Sequence, residues 1–124
     1  QLDAVLASND STAQGVANAL ASSYTGEYPV LTGQDCDIVS VQNIIAGKQS
    51  MSLFKDTRIL ADKTVEMVDA IMKGAEPPVN NETDYDNGTG IIPSYLCQLQ
   101  LCTVDNYEEL LIDSGYYTAE ELGQ

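Results

Sequence analysis

Apolar and polar positions alternate along the first seventy residues in a repeating order: a short apolar run, a polar turn, then a helical stripe. Ala4, Val5, Leu6 and Ala7 form an uninterrupted apolar run, the pattern of a parallel strand covered on both faces. Ser8 to Thr12 are small and polar, and several of them suit a helix N-terminus. Ala13, Val16, Ala17, Leu20 and Ala21 then follow at the spacing of one helical face. The order recurs with Pro29 to Thr32, the polar Gly33 to Asp37, and a stripe of Ile38, Val41, Ile44 and Ile45 closed by Gly47. It recurs again with Met51 to Phe54, Lys55 to Thr57, and a long helix over 57–73 carrying Ala61, Thr64, Val65, Val68, Ile71 and Met72 on one face.

The three apolar runs begin at Ala4, Pro29 and Met51, roughly 22 to 25 residues apart, the rhythm of a βαβαβ unit with right-handed crossovers. The predicted class is α/β, an open three-layer α/β/α sheet with mostly parallel strands. Such a sheet brings Asn9, Asp35 and Lys55 to one edge, at the carboxyl ends of the strands, where open α/β sheets bind ligands. Farther along, 79–90 reads as a polar loop in which DYDNG is an ordinary turn: the glutamate that would complete a calcium loop is missing. Ile91, Ile92 and Ser94 to Leu101 read as extended segments broken at Pro93, and Thr103 to Ile112 as a last helix. Thr118 and Glu121 have capping-box spacing.

Composition narrows the function. The 124 residues are 44% apolar, enough for one modest core, and no run approaches the roughly 20 apolar residues of a membrane span, so no inserted segment is predicted. Nineteen acidic against five basic residues give a net charge of −14, which repels nucleic acid and anionic lipid alike. With no histidine, the chain can build neither a Ser-His-Asp nor a His-metal site, and neither a catalytic residue nor a metal or other cofactor is indicated. Cys36, Cys97 and Cys102 are odd in number and not in CxxC spacing, so they read as packing residues or inert thiols. Gln1 stands first, with no charged-then-apolar segment ahead of the first strand, and the chain reads as a piece of a longer protein.

Four segments in order, ASNDSTAQG at 7–15, VLTGQDCD at 30–37, LFKDTRILADKTVEMV at 53–68 and YDNGTGIIPSYL at 85–96 followed by DSGYY at 113–117, resemble the sugar-binding proteins of bacterial ABC importers with the type I periplasmic binding fold, in the ChvE-like multiple-sugar and galactose/glucose branch. The resemblance implies a carboxyl-terminal portion of a two-lobed protein: a carboxyl-lobe βαβαβ segment at 1–54, a hinge crossing and piece of the amino lobe at 55–92, and a return crossing, strand and terminal helix at 93–124. It implies a non-enzymatic receptor that holds a monosaccharide, an aldose, between its lobes. Its partners would be an ABC permease and a sensor kinase or chemoreceptor. The setting would be periplasmic or extracellular, with a lipid anchor in a Gram-positive source.

Carried over residue by residue, the family's sugar-contacting asparagine matches Asn9 and its sugar-binding aspartate Asp35. Lys55 stands where some members have a hinge asparagine. The chemistry agrees: a carboxylate accepts from two neighbouring hydroxyls, an amide donates and accepts, and an ammonium donates. Each residue has a plainer alternative, Asn9 and Asp35 as helix caps or solvated turn groups and Lys55 as a surface ion pair; Asp10 is assigned as a cap, and Asp37 as the better-placed cap of the second helix. The alternative function is the effector-binding core of a LacI-type sugar-responsive repressor. A phosphoacceptor receiver domain is disfavoured because Lys55 follows the third strand and Asp35 the second. The 124 residues alone are expected to self-associate through the long helix and to bind sugar weakly, with half the hydrogen-bonding shell missing.

Overall fold

The computed structural model describes residues 1–124. The chain forms two compact units, one of residues 1–55 with 99–124 and one of residues 56–98.

In the first unit, β1 (Ala4–Val5) leads into α1 (Asp10–Ser23), β2 (Val30–Leu31) into α2 (Ile38–Ile45), and β3 (Ser52–Phe54) is the third strand. β1 pairs with β2 in parallel, Ala4 opposite Val30. Beyond β2 the chain continues alongside β3: Gln34 pairs in parallel with Leu53, Leu53 N donates to Gly33 O at 3.1 Å, and Asp35 N donates to Leu53 O at 2.9 Å. β4 (Gln100–Cys102) returns antiparallel to β3, with Ser52 opposite Cys102 and Phe54 opposite Gln100. The α/β arrangement is therefore built from very short strands, as two two-stranded sheets, β1-β2 and β3-β4, linked by the Gln34–Leu53 bridge.

Two apolar clusters hold this unit. Ala13 and Ala17 of α1 pack on Ala7 and Leu31, small residues that let the helix approach its strands closely. Val41 of α2 joins Cys36, Phe54, Cys102, Tyr107, Leu111 and Leu122 in the second. Phe54 meets Tyr116 edge to face, centroids 4.8 Å apart, and Tyr116 meets Tyr117 likewise at 4.9 Å. The sheet alternates as a half-covered one must: Leu31, Ser52, Phe54 and Cys102 are buried, whereas Val30 and Leu101 are 52% and 51% exposed. The expectation that Ala4 to Ala7 is covered on both faces is corrected here. Only Ala7 is buried, in the cluster with Ala13, Ala17 and Leu31, and Leu6 is 82% exposed.

The last helix also differs from expectation. The turn at Thr103 is closed by its own Asn106, whose Oδ1 accepts from Thr103 N at 2.8 Å, and a π-helix (Glu108–Asp113) follows in place of a regular α-helix from Thr103. Thr118 and Glu121 form the expected capping box, with Thr118 N donating to Glu121 Oε2 at 2.8 Å and Glu121 N to Thr118 Oγ1 at 3.2 Å. All three cysteines are free; Cys36 and Cys102 are core residues, and Cys97 lies outside β4.

In the second unit, α3 (Thr57–Met72) carries the apolar stripe read from the sequence, yet none of its residues is buried. The rest is loop, tied by the pairing of Asn81 with Ser94 and of Asp86 with Ile91. Asn80 accepts from Leu96 N at 2.7 Å and donates to Leu96 O at 3.1 Å. The Asp86–Asn87–Gly88 segment is an ordinary turn, with Gly88 N donating to Asp86 Oδ1 at 2.8 Å.

α3 is capped by Asp56, which accepts from Arg58 N at 2.9 Å and pairs with the Arg58 guanidinium at 2.7 Å. The Arg58 side-chain bond holds the Asp56 pKa below the usual aspartate value. Asp56→Ala is expected to cost about 1 kcal/mol at neutral pH, the usual worth of such a cap. A depressed folded pKa contributes stability above the unfolded value and loses it as pH falls through the folded one. Urea midpoints of the two proteins should therefore converge in acid, and an equal gap at neutral and acidic pH would contradict this account.

Candidate functional site

The strand-to-helix turns of the first unit are laced to one another. Asp10 N donates to Gln34 O at 2.9 Å, joining the turn after β1 to the turn after β2, and Asp35 N is bonded to β3 through Leu53 O. The sheet edge thus carries Asn9, Asp35 and Lys55 on three adjoining turns.

Asp35 and Lys55 meet directly, Nζ to Oδ1 at 2.7 Å, with side chains 39% and 44% exposed. A pair so open to water contributes only about 0–1 kcal/mol, so either partner is readily drawn to a ligand. Asn9 is the N-cap of α1, its Oδ1 accepting from Thr12 N at 3.0 Å. The cap uses only the carbonyl oxygen, and the amide nitrogen retains its donors.

Asp10 is not the cap the sequence suggests. Its side chain is fully buried and stands at the centre of a polar network. Ser52 Oγ lies 2.9 Å from both carboxylate oxygens, Gln49 Nε2 donates to Oδ1 at 3.1 Å, and Asp37 N donates to Oδ2 at 2.9 Å. Burial raises its pKa, opposed by these hydrogen bonds. Asp37, expected to cap α2 with its side chain, makes no such bond: its N–H is directed to Asp10 instead. Gly33 belongs to the same arrangement, since a Cβ there would overlap Asp10 Oδ1 and Gln49 Nε2.

Asp35 and Cys36 have φ of +106° and +56°, left-handed values that side chains rarely adopt. Tyr117 reaches this turn from the far end of the chain, its hydroxyl donating to Cys36 O at 3.0 Å. Burial, with Tyr116 beside it, pushes the Tyr117 phenol up to about 12, so the hydroxyl keeps the proton it donates. The hydrogen bond with Cys102 and burial likewise raise the Cys36 thiol, which stays protonated in the core. Sequence reasoning missed Ser52, Gln49 and Tyr117. The one available signal was the acidic residue directly after Asn9 at a strand end.

A family model described as a periplasmic binding protein domain matches residues 1–76, more than half of the chain. The chain belongs to the periplasmic binding protein family. Among its periplasmic binding protein relatives, the multiple sugar-binding periplasmic receptor ChvE of Rhizobium radiobacter is 43% identical over 98% of this chain and 35% of its own length. An ABC transporter solute binding protein from Clostridium phytofermentans, solved with bound β-D-glucose, is 66% identical with a TM-score of 0.93 over 98% of this chain and 38% of its own. A carbohydrate transporter solute binding protein from Chloroflexus aurantiacus, solved with D-glucose, is 37% identical with a TM-score of 0.90 over 97% of this chain and 35% of its own. The chain therefore spans a little over a third of the length of these periplasmic binding proteins.

Proposed function

We propose that this chain is part of the solute-binding component of a bacterial ABC importer, and that it contributes Asn9, Asp35 and Lys55 to a site for an aldose monosaccharide in the periplasm. The observation that carries the reading is the paired carboxylate and ammonium of Asp35 and Lys55, half-exposed on a sheet edge beside the Asn9 turn. A carboxylate, an amide and an ammonium together match the alternating donors and acceptors of vicinal hydroxyls. The glucose held by two solved relatives supports the choice of ligand, and the printed roles of the relatives favour a transport receptor over a repressor core. No chemistry on the sugar is part of this reading: the site binds and releases, and delivers its ligand to a permease. In this reading 55–92 holds the hinge crossing and the piece of the amino lobe and 93–124 the return crossing, strand and terminal helix, a division supported by the separate compact unit of residues 56–98.

Calorimetric titration of the full-length protein with D-glucose, D-galactose, L-arabinose and D-xylose tests the proposal. Micromolar affinity, on the order of −8 kcal/mol, is expected for at least one of them. A folded full-length protein that binds none would overturn it.

A further inference from the structure

We infer that Asp10 is a positioning residue for the ligand site, and that with Ser52 and Tyr117 it clamps the Asp35–Cys36 turn in a conformation the chain would not otherwise hold. The inference rests on the reading of Asp35 as a sugar contact, and adds the machinery that presents it.

Two consecutive non-glycine residues at positive φ are strained, and Asp35 at +106° lies beyond the ordinary left-handed helical well. Strain of this kind persists only where the surroundings over-determine the backbone. Around this turn the backbone groups are engaged one after another. Gln34 O accepts from Asp10 N and Asp35 N donates to Leu53 O, both at 2.9 Å. Cys36 N donates to Ser52 Oγ at 3.0 Å, Cys36 O accepts from Tyr117, and Asp37 N donates to Asp10 Oδ2.

Asp10 acts on this set twice. It receives Asp37 N directly, and it fixes the sense of the Ser52 hydroxyl. With the hydroxyl proton directed at the carboxylate, the Ser52 lone pairs face Cys36 N. The carboxylate thus fastens the two amides that follow Asp35, while Tyr117 holds the carbonyl between them. With the backbone fixed on both sides, the Asp35 side chain projects from the edge toward Lys55 instead of turning with a relaxed loop. Asp10 is fully buried and Asp35 is not, which separates the group that positions from the group that binds.

The test uses Asp10→Ala and Tyr117→Phe in the full-length protein, with amide hydrogen exchange and D-glucose titration on each. Exchange at residues 35 to 37 should quicken about tenfold or more in Asp10→Ala and about threefold in Tyr117→Phe, while the Val30 and Thr32 amides of the β1–β2 ladder hold their rates. The glucose dissociation constant should rise in step, by about the same factors. Unchanged exchange at 35–37 would overturn the inference, as would a uniform rise across the unit or a loosened turn with unaltered affinity. If Asp10→Ala does not fold, Tyr117→Phe decides by the same readings. A wild-type protein that binds no glucose counts against the sugar site alone, because the exchange pattern still shows whether Asp10 holds the turn.

Discussion

Asp35→Gly in the full-length protein is expected to raise the melting temperature while weakening sugar binding about a hundredfold or more. The two effects have separate causes. A non-glycine residue at φ of +106° carries backbone strain of about 1–3 kcal/mol, which glycine does not. Against this stand the extra freedom of glycine in the unfolded chain, about 0.4–1 kcal/mol, and the lost pair with Lys55. That pair is too exposed to contribute more than about 1 kcal/mol. At the middle of these ranges the balance favours the variant by about 1 kcal/mol, or a few degrees in Tm. Binding moves the other way, since hydrogen bonds to a charged group contribute about 1.5–3 kcal/mol each, and a carboxylate bonded to two hydroxyls would take about a hundredfold or more in affinity with it. Thermal scans without ligand and titration with glucose read the two separately. A variant less stable than wild type would contradict the strain argument, and one that binds glucose normally would remove Asp35 from the site.

Gly33→Ala is expected to be the most damaging single methyl in the first unit. The added carbon would occupy space held by Asp10 Oδ1 and Gln49 Nε2, both on buried side chains. The carboxylate can yield only by leaving Ser52 Oγ, Gln49 Nε2 or Asp37 N, each within 3.1 Å of it. Leaving a buried carboxyl short of its hydrogen bonds costs about 1–3 kcal/mol for the group, and about 3 or more with the overlap at the added methyl, a large share of the total stability of a domain this size. Urea denaturation should show a loss of at least about 3 kcal/mol, and a loss below about 1 kcal/mol would mean the network has room to rearrange.

What the sequence discloses depends on whether a residue's role leaves a periodic trace. Ala13, Val16, Ala17 and Leu20, and Ile38, Val41, Ile44 and Ile45, announce α1 and α2 because burial of one helical face forces that spacing. The meeting of Asp35 with Lys55 follows from the strand rhythm, which places both at one sheet edge. Asp10 leaves no such trace: an aspartate at the start of a helix looks the same whether it faces water or the interior. The left-handed backbone of Asp35 and Cys36 is invisible for a similar reason, since no side chain signals strain as glycine signals freedom. The terminal segment was misread because apolar spacing does not distinguish a π-helix from an α-helix over so few residues, and Asn106 competes locally for the first turn. The apolar stripe read for α3 finds no cover in this chain: Val65, Val68, Ile71 and Met72 are all exposed, and the less exposed positions of the helix are Lys63, Met67 and Ala70.

The pairing of β3 with β4 has a topological consequence. Phe54 lies opposite Gln100, so the two strands are the arms of a hairpin, and everything from Lys55 to Leu99 is its loop. The second unit is in that sense an insertion between the two arms of the hairpin. Loop-closure entropy grows only with the logarithm of length, so a loop this long is tolerated. The order of assembly follows: the βαβαβ segment can form from its own local crossovers, whereas Cys102, Tyr107, Leu111 and Tyr117 dock only after the insert has brought the chain back. The Tyr117 strut on the Asp35 turn, 81 residues from its partner Cys36, is therefore expected among the last contacts to form, and the sheet edge carrying Asn9, Asp35 and Lys55 is expected to be finished last.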